Sequence, residues 1–142
     1  QTFSENRELD FKNIPIVVDA NNEENKRILE ITADTIGKRT VFADESHRQK
    51  LHVAAVFVNN FSNHLYFLME DYLKRNNLSI QYLKPLMLET ILKLDSLSAS
   101  QAQTGPAKRG DELSLNIHRD ILASEQHLLE IYNLISKSIQ SN

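Results

Sequence analysis

The chain has 142 residues, 41% of them hydrophobic and 25% charged, a net charge of −3 and no cysteine. That is room for one ordinary domain, or for one domain with part of another, and it excludes disulfides and thiolate metal sites. With no basic patch, 7% aromatics and no Trp, a nucleic-acid surface is not expected.

No signal peptide and no apolar run long enough to span a bilayer are found, so cytoplasm is the expected compartment. A chain that opens on Gln1 is expected to be a piece of a longer soluble protein. The charge is uneven: residues 1–46 carry 6 Lys and Arg against 10 Asp and Glu, and residues 47–142 carry 10 against 9.

Residues 1–13 show no sustained period and read as loop. Ile14-Pro15-Ile16-Val17-Val18 is a short β-branched run with proline near its start, where it least disturbs a strand. From Asn22 to Ile36 apolar residues recur at helical spacing. Asn21 or Asn22 is the expected N-cap, Glu23 and Glu24 suit the positive helix start, and Gly37 with Lys38 and Arg39 suits its end. Arg39–Ala43 is a second short strand. Two strands joined through a helix do not make a stable sheet alone. Residues 1–46 are therefore expected to be the tail of a larger, Rossmann-like α/β domain.

From Ser46 to Tyr72 the sequence SHRQKLHVAAVFVNNFSNHLYFLMEDY reads as one long helix, apolar on nearly every side and so expected to be buried. Its polar residues form a stripe. At 100° per residue, with His52 at zero, Asn59 falls at about −20°, Asn63 at about 20°, Val56 at about 40°, Asn60 at about 80° and His64 at about 120°. His52 can donate, accept or shuttle a proton, and Asn59, Asn60 and Asn63 can bond a carbonyl-bearing ligand. The plainer reading is that the stripe bonds neighbouring backbone or a subunit interface. At roughly 40 Å the rod is longer than a domain of this size needs. One face is expected to pack on its own bundle and another on a second copy, giving a homodimer.

The rod is expected to end near Asn76-Asn77. Ser79 can cap a next helix, in which Pro85 predicts either a kink or a start near Lys84. Ser98–Gly110 reads as an extended loop. Asp111 is a good N-cap for the following helix, and a last helix spans about Ser124 to Ile139. The fold expected is mainly α: a helical bundle over residues 47–142 around one long buried helix, preceded by a β-α-β remnant.

The second candidate for chemistry is Thr104-Gly105-Pro106-Ala107-Lys108-Arg109-Gly110-Asp111. Its glycines allow close backbone approach, and the helix start and the two cations suit an anion. Against this stands a plain connection in which Arg109 pairs with Asp111 or with a carboxylate elsewhere. His47, Arg48 and Lys50 could reach a phosphate held by the strand–helix–strand unit but read rather as a solvated first turn, and His118 and His127 as structural or surface residues. No metal-ligand spacing, glycine-rich phosphate loop or serine elbow occurs.

Taken together, Leu51-His52-Val53-Ala54-Ala55-Val56-Phe57-Val58-Asn59-Asn60-Phe61 and, some forty residues on, Gln103–Asp111 resemble the family called DUF2520. That domain accompanies a Rossmann-like NAD(P)-binding domain in bacterial proteins taken to be oxidoreductases. The resemblance covers about residues 47–140. It implies kinship with the 6-phosphogluconate dehydrogenase, ketopantoate reductase and pyrroline-5-carboxylate reductase group, in which an all-α C-terminal domain closes the active-site cleft and commonly forms the dimer.

Many hydroxyacid dehydrogenases of that group carry a Lys on the long helix with an Asn one turn later. Here Asn60 matches the Asn, but Val56 stands in the Lys position and cannot act as acid or base. His52 is then the nearest group able to move a proton.

The expected function is the substrate-cleft and dimerisation part of an NAD(P)-dependent oxidoreductase acting on a small polar molecule. NADP or NAD would be bound mainly outside this chain. His52 and Asn60 would be catalytic; Asn59, Asn63, Thr104, Gly105, Pro106, Arg109, Gly110 and Asp111 would bind substrate. The alternative is a dimerising ligand-binding or scaffold domain that has kept the cleft and lost the chemistry.

Overall fold

The computed structural model describes residues 10–37 and 39–141. They form two compact units that divide between His64 and Leu65, and each is described by itself. Residues 1–9 of the predicted opening loop lie outside the described residues. Phe11–Asn13 make a single 3-10 turn, closed by the Asp10 carboxylate accepting from the Lys12 N–H at 3.0 Å.

The first unit holds the strand–helix–strand. Strand β1 is Pro15–Val18, helix α1 is Glu23–Ile36 and strand β2 is Arg39–Phe42. The strands pair in parallel from Pro15↔Arg39 to Val18↔Phe42, as a helical crossover dictates. Asn22 caps α1, its side-chain oxygen accepting from the Asn25 N–H at 2.8 Å, while Asn21 holds the Asn25 amide at 2.7 Å.

The far end of α1 departs from the expected cap. Gly37 is extended (φ −118°, ψ 179°) rather than left-handed, and Arg39 already belongs to β2. Lys38, named with them as part of the helix end, lies outside the described residues. Glycine is required at 37 for space: a Cβ there would sit 2.6 Å from both the Ile14 carbonyl oxygen and Ile16 Cγ1. Helix and strand could not otherwise approach so closely.

Helix α2, Glu45–Ala55, opens on Asp44, whose carboxylate accepts from the His47 N–H at 2.9 Å and lies 2.8 Å from His47 Nδ1. The first turn is not merely solvated. Arg48 forms an ion pair with Asp19, just after β1, and donates to the Ala43 carbonyl, just after β2, at 2.8 Å. One guanidinium thus fastens α2 to the ends of both strands.

Helix α2 leads directly into a π-helical segment, Val56–Phe61, and then into α3, Ser62–Arg75. The predicted rod therefore exists, over 45–75 rather than 46–72, but its winding changes in the middle. Nor is it buried within this chain. No residue of the three segments is buried, and Phe57, Val58 and Phe67 are 61%, 74% and 60% exposed. Apolar character alone fixes only a preference for cover; a single copy of the chain does not supply it.

The second unit begins within α3. Asn77 takes the left-handed conformation that ends the rod (φ 58°). Ser79 caps a 3-10 turn, Ile80–Leu83, and α4 follows over Lys84–Leu92 with Pro85 in its first turn. Of the two outcomes predicted for Pro85, the structure takes the start near Lys84, where proline's missing N–H costs nothing. A 3-10 turn, Lys93–Asp95, closes that helix.

The predicted loop over Ser98–Gly110 is instead two single helical turns, α5 (Ala99–Ala102) and α6 (Pro106–Arg109). Local signals explain both. Ser98 and Gln101 form a reciprocal capping box, and Pro106 is preset for a first helical position.

Helix α7, Glu112–Ile121, and helix α8, Gln126–Gln140, complete the unit. Its core is Leu115, fully buried, with Ala107, Leu128 and Ser136. Full burial of a leucine contributes about 1.5–3 kcal/mol. Polar cross-links fix α7 against α8: Arg119 Nε donates to the Asn133 side-chain oxygen at 3.1 Å, and the Gln140 amide to Glu112 at 3.1 Å. Arg75, at the end of α3, pairs with Asp71 and with Glu125 just before α8, which raises its pKa above the usual arginine value.

Candidate functional site

In the first unit the site candidate is the polar stripe, and the π segment redraws it. In an i→i+5 ladder a turn holds more than four residues, so each step rotates by roughly 85–90° rather than 100°. Val56, Asn59 and Asn60 all lie in that segment. Carried through it, Asn60 comes to about 5–30° from His52 and His64 to about 30–60°, while Asn59 moves to about −60° to −80° and Asn63 to about −40° to −70°.

The uniform wheel is thereby corrected. His52, Val56 and Asn60 fall within about 30° of one line along the helix, and Asn59 and Asn63 flank it. His64, which the uniform wheel put at the edge, moves toward that line. His52, Asn59, Asn60, Asn63 and His64 are all exposed, and Val56 is half-buried. A rise of about 1.5 Å per residue puts His52 and Asn60 roughly 12 Å apart along the axis. Only a ligand lying along the helix, or one bridged by water, touches both.

Two neighbours stiffen this segment. Phe57 and Phe61 meet edge to face, centroids 4.9 Å apart and planes at 67°. The Ser62 hydroxyl lies 3.5 Å from the carbonyl of Phe57, five residues back, at the limit of a hydrogen bond. Wide turns of this kind occur preferentially where a helix carries function, because they displace side chains from the regular ladder.

In the second unit the Thr104–Asp111 stretch is α6 with its two flanking glycines. Gly105 (φ 104°) and Gly110 (φ 65°) both need the freedom of glycine, and neither is crowded: nothing lies within 4 Å of where a Cβ would be. The requirement is conformational rather than steric.

The anion-site reading loses part of its basis. Asp111 takes the start of α7 for itself, accepting from the Ser114 N–H at 3.1 Å and the Ser114 hydroxyl at 2.7 Å. Those bonds, and then the nearby Arg109 and His118, hold its pKa below the ordinary carboxylate value. Arg109 is 64% exposed with its Nη2 3.9 Å from Asp111, a long ion pair that leaves most of the guanidinium to solvent. The plain pairing of Arg109 with Asp111 is thus present, and weak.

The residues missed in the sequence are His118, Tyr132 and Ser136. His118 Nδ1 lies 2.9 Å from the Tyr132 hydroxyl, and with buried Ser136 they line a cavity of about 410 Å³ in the second unit. The signal existed: His118 and Tyr132 occupy inward positions of adjacent amphipathic helices. The sequence alone supplies no register between those helices. Among the described residues no group of three or more metal-binding side chains is assembled, and no helix is long and apolar enough to cross a membrane.

Comparison with known proteins agrees with this architecture. No curated protein matches the chain. A solved structure of a putative NADP oxidoreductase from Bacteroides fragilis is 42% identical and superposes with a TM-score of 0.93, covering 100% of this chain and 55% of that one. A protein from Thermotoga maritima, 20% identical, superposes with a TM-score of 0.77 over 92% of this chain and 53% of its own, and shows the shared fold. The chain thus spans about half the length of the solved structures it matches. The model of the family described as a domain of unknown function, DUF2520, matches residues 14–139, taking in β1-α1-β2 as well as the helices. The chain belongs to the DUF2520 family.

Proposed function

We propose that this chain is the C-terminal, substrate-handling and dimerising part of an NAD(P)-dependent oxidoreductase. The observation that carries the reading is the 42% identity, over the whole chain, to the Bacteroides fragilis protein named for NADP. Residues 1–46 are the tail of a Rossmann-like domain in this reading, and residues 47–142 the all-α domain.

The described residues do not themselves fit a dinucleotide pyrophosphate. The β1–α1 turn, Asp19-Ala20-Asn21-Asn22, has no glycine to let the backbone approach a phosphate, and Asp19, Glu23 and Asp44 line it against Lys26, with Arg48 already paired to Asp19. We therefore assign the dinucleotide to the portion of the relatives' length that this chain does not span, and no step is routed through it here.

What this chain contributes is a small polar substrate's surroundings. His52 supplies or removes a proton at its imidazole, and Asn60, on the same line of the helix, orients a carbonyl or hydroxyl oxygen. Asn59 and Asn63 flank it. Thr104, Gly105, Pro106, Gly110 and Asp111 shape the α6 stretch, where the exposed Arg109 guanidinium holds an anionic group. A second copy of the chain covers the exposed apolar faces of the long helix.

The test is turnover of NADPH and NADH by the full-length polypeptide against a panel of small carbonyl compounds, with thermal shift reporting dinucleotide binding. His52→Ala should abolish turnover while leaving the melting temperature in place; unchanged turnover would remove His52 from the chemistry. A second reading, a dimerising ligand-binding domain without chemistry, rests on Val56, an inert side chain between His52 and Asn60. It wins if dinucleotide binds and no carbonyl compound is reduced.

A further inference from the structure

The cavity of the second unit has the features of a ligand site rather than of loose packing. Its volume, about 410 Å³, is within the range of small-molecule pockets. Its walls are apolar, with Leu68, Met69, Leu122, Ile131 and Ile139 among them, and no Lys, Arg, Asp or Glu lines it.

Besides Thr104, three polar side chains interrupt that lining, Tyr132 and Ser136 of them one helical turn apart. His118 and Tyr132 are bonded to each other at 2.9 Å. The tautomer decides which atom is left over. If His118 Nδ1 carries the proton, the Tyr132 hydroxyl keeps its own proton to donate; if Tyr132 donates, His118 Nε2 carries the free N–H. Either way the pair retains one donor.

The third is Ser136. The residue is only 6% exposed and lines the cavity. Among the described residues its hydroxyl makes no side-chain hydrogen bond, and it belongs to a residue that lines the cavity. A hydroxyl at an apolar wall gains free energy from a ligand atom that bonds it.

We propose that this cavity binds a small, predominantly apolar molecule bearing one neutral oxygen, a carbonyl or a hydroxyl. The oxygen is held by Ser136 and the His118–Tyr132 pair, and the apolar body by the leucine and isoleucine walls. A neutral head is specified because no Lys or Arg lines the cavity to compensate a buried carboxylate, and His118 spends its Nδ1 on Tyr132. The site shares Thr104, Gly105, Pro106 and Ala107 with the α6 stretch but does not rest on the oxidoreductase reading, and its test uses no dinucleotide.

The probe is prodan, a neutral naphthyl ketone whose emission shifts to the blue in apolar surroundings. Titrated into the protein, it should show a saturable blue shift with one site per chain. Ile131→Trp, which fills the cavity, should abolish that shift with the helical circular dichroism unchanged. Ser136→Ala, close in volume, should weaken prodan about fivefold, one hydrogen bond's worth, and should not weaken 2-dimethylaminonaphthalene, which lacks the carbonyl. If Ile131→Trp fails to fold, the Ser136→Ala comparison decides alone. No saturable shift, a shift that survives Ile131→Trp, or equal weakening of both probes by Ser136→Ala would each overturn the proposal. A chain that scatters as a dimer and takes up no probe would show the cavity filled by a second copy, which overturns it as well.

Discussion

His118 on α7 and Tyr132 on α8 meet with Nδ1 2.9 Å from the hydroxyl oxygen and with their rings edge to face, centroids 5.7 Å apart at 79°. The contact joins the two longest helices lying wholly within the second unit at a half-buried position. Tyr132→Phe keeps the ring contact and removes only the hydroxyl. It should lower the unfolding free energy by about 1 kcal/mol, read as a lower urea midpoint with an unchanged m-value. A loss of 3 kcal/mol or more, or a changed m-value, would mean that the ring packing and not the hydrogen bond holds the pair.

Gly37→Ala makes a sharper test of how the first unit is assembled. The new methyl would overlap the Ile14 carbonyl, a backbone atom that cannot swing aside, as well as Ile16 Cγ1. Overpacking of this kind costs about 1–3 kcal/mol. Gly105→Ala meets no atom, so its cost comes from the positive φ alone. Thermal unfolding should rank Gly37→Ala as the more harmful whenever the strand–helix approach matters more than backbone strain.

Helix ends could be read in advance. Asn22 and Asp111 advertise helix starts through side chains that accept from nearby backbone N–H groups, and Asn77 a helix end through its left-handed backbone; such local chemistry needs no knowledge of the rest of the fold. The two one-turn helices were equally local, signalled by Ser98 with Gln101 and by Pro106, but four-residue helices carry too little periodicity to outweigh a run of Ser, Gln and Gly. The π segment could not be found from pattern, because a wheel assumes the winding it is meant to test. His118, Tyr132 and Ser136 were hidden for a different reason: their meeting depends on the register of α7 against α8, which long-range packing sets.

Two carboxylates should give the fold an acid limb. Asp44 has its pKa lowered first by the His47 backbone N–H and then by the His47 side chain, and Asp111 by Ser114. A carboxylate whose folded pKa lies below its unfolded value adds stability above the unfolded pKa. That contribution is lost as pH falls through the folded value. Melting temperature should therefore fall on moving from neutral into the acid range. Asp44→Asn with Asp111→Asn, which keeps both caps as good hydrogen-bond acceptors, should flatten that slope while lowering the neutral-pH value by only a few degrees. An unchanged acid slope in the double variant would place the titrating groups elsewhere.

The exposed faces of the long helix lead to the last prediction. Phe57, Val58 and Phe61 are each at least half exposed within a stretch of five residues, and Val53, one turn before Phe57, continues the apolar surface toward the start of α2. Contiguous patches of this kind mark interaction surfaces, and a second copy is the commonest partner for one. Light scattering at micromolar concentration should give twice the chain's 16.3 kDa. Val58→Asp should return the mass to that of a monomer, because a carboxylate buried across an interface without a counter-charge is strongly disfavoured. At 74% exposure Val58 contributes little to the fold of a single chain, so the variant's circular dichroism should be unchanged. A wild-type chain that scatters as a clean monomer would refute the packing argument. A dimer indifferent to Val58→Asp would move the interface off this part of the helix.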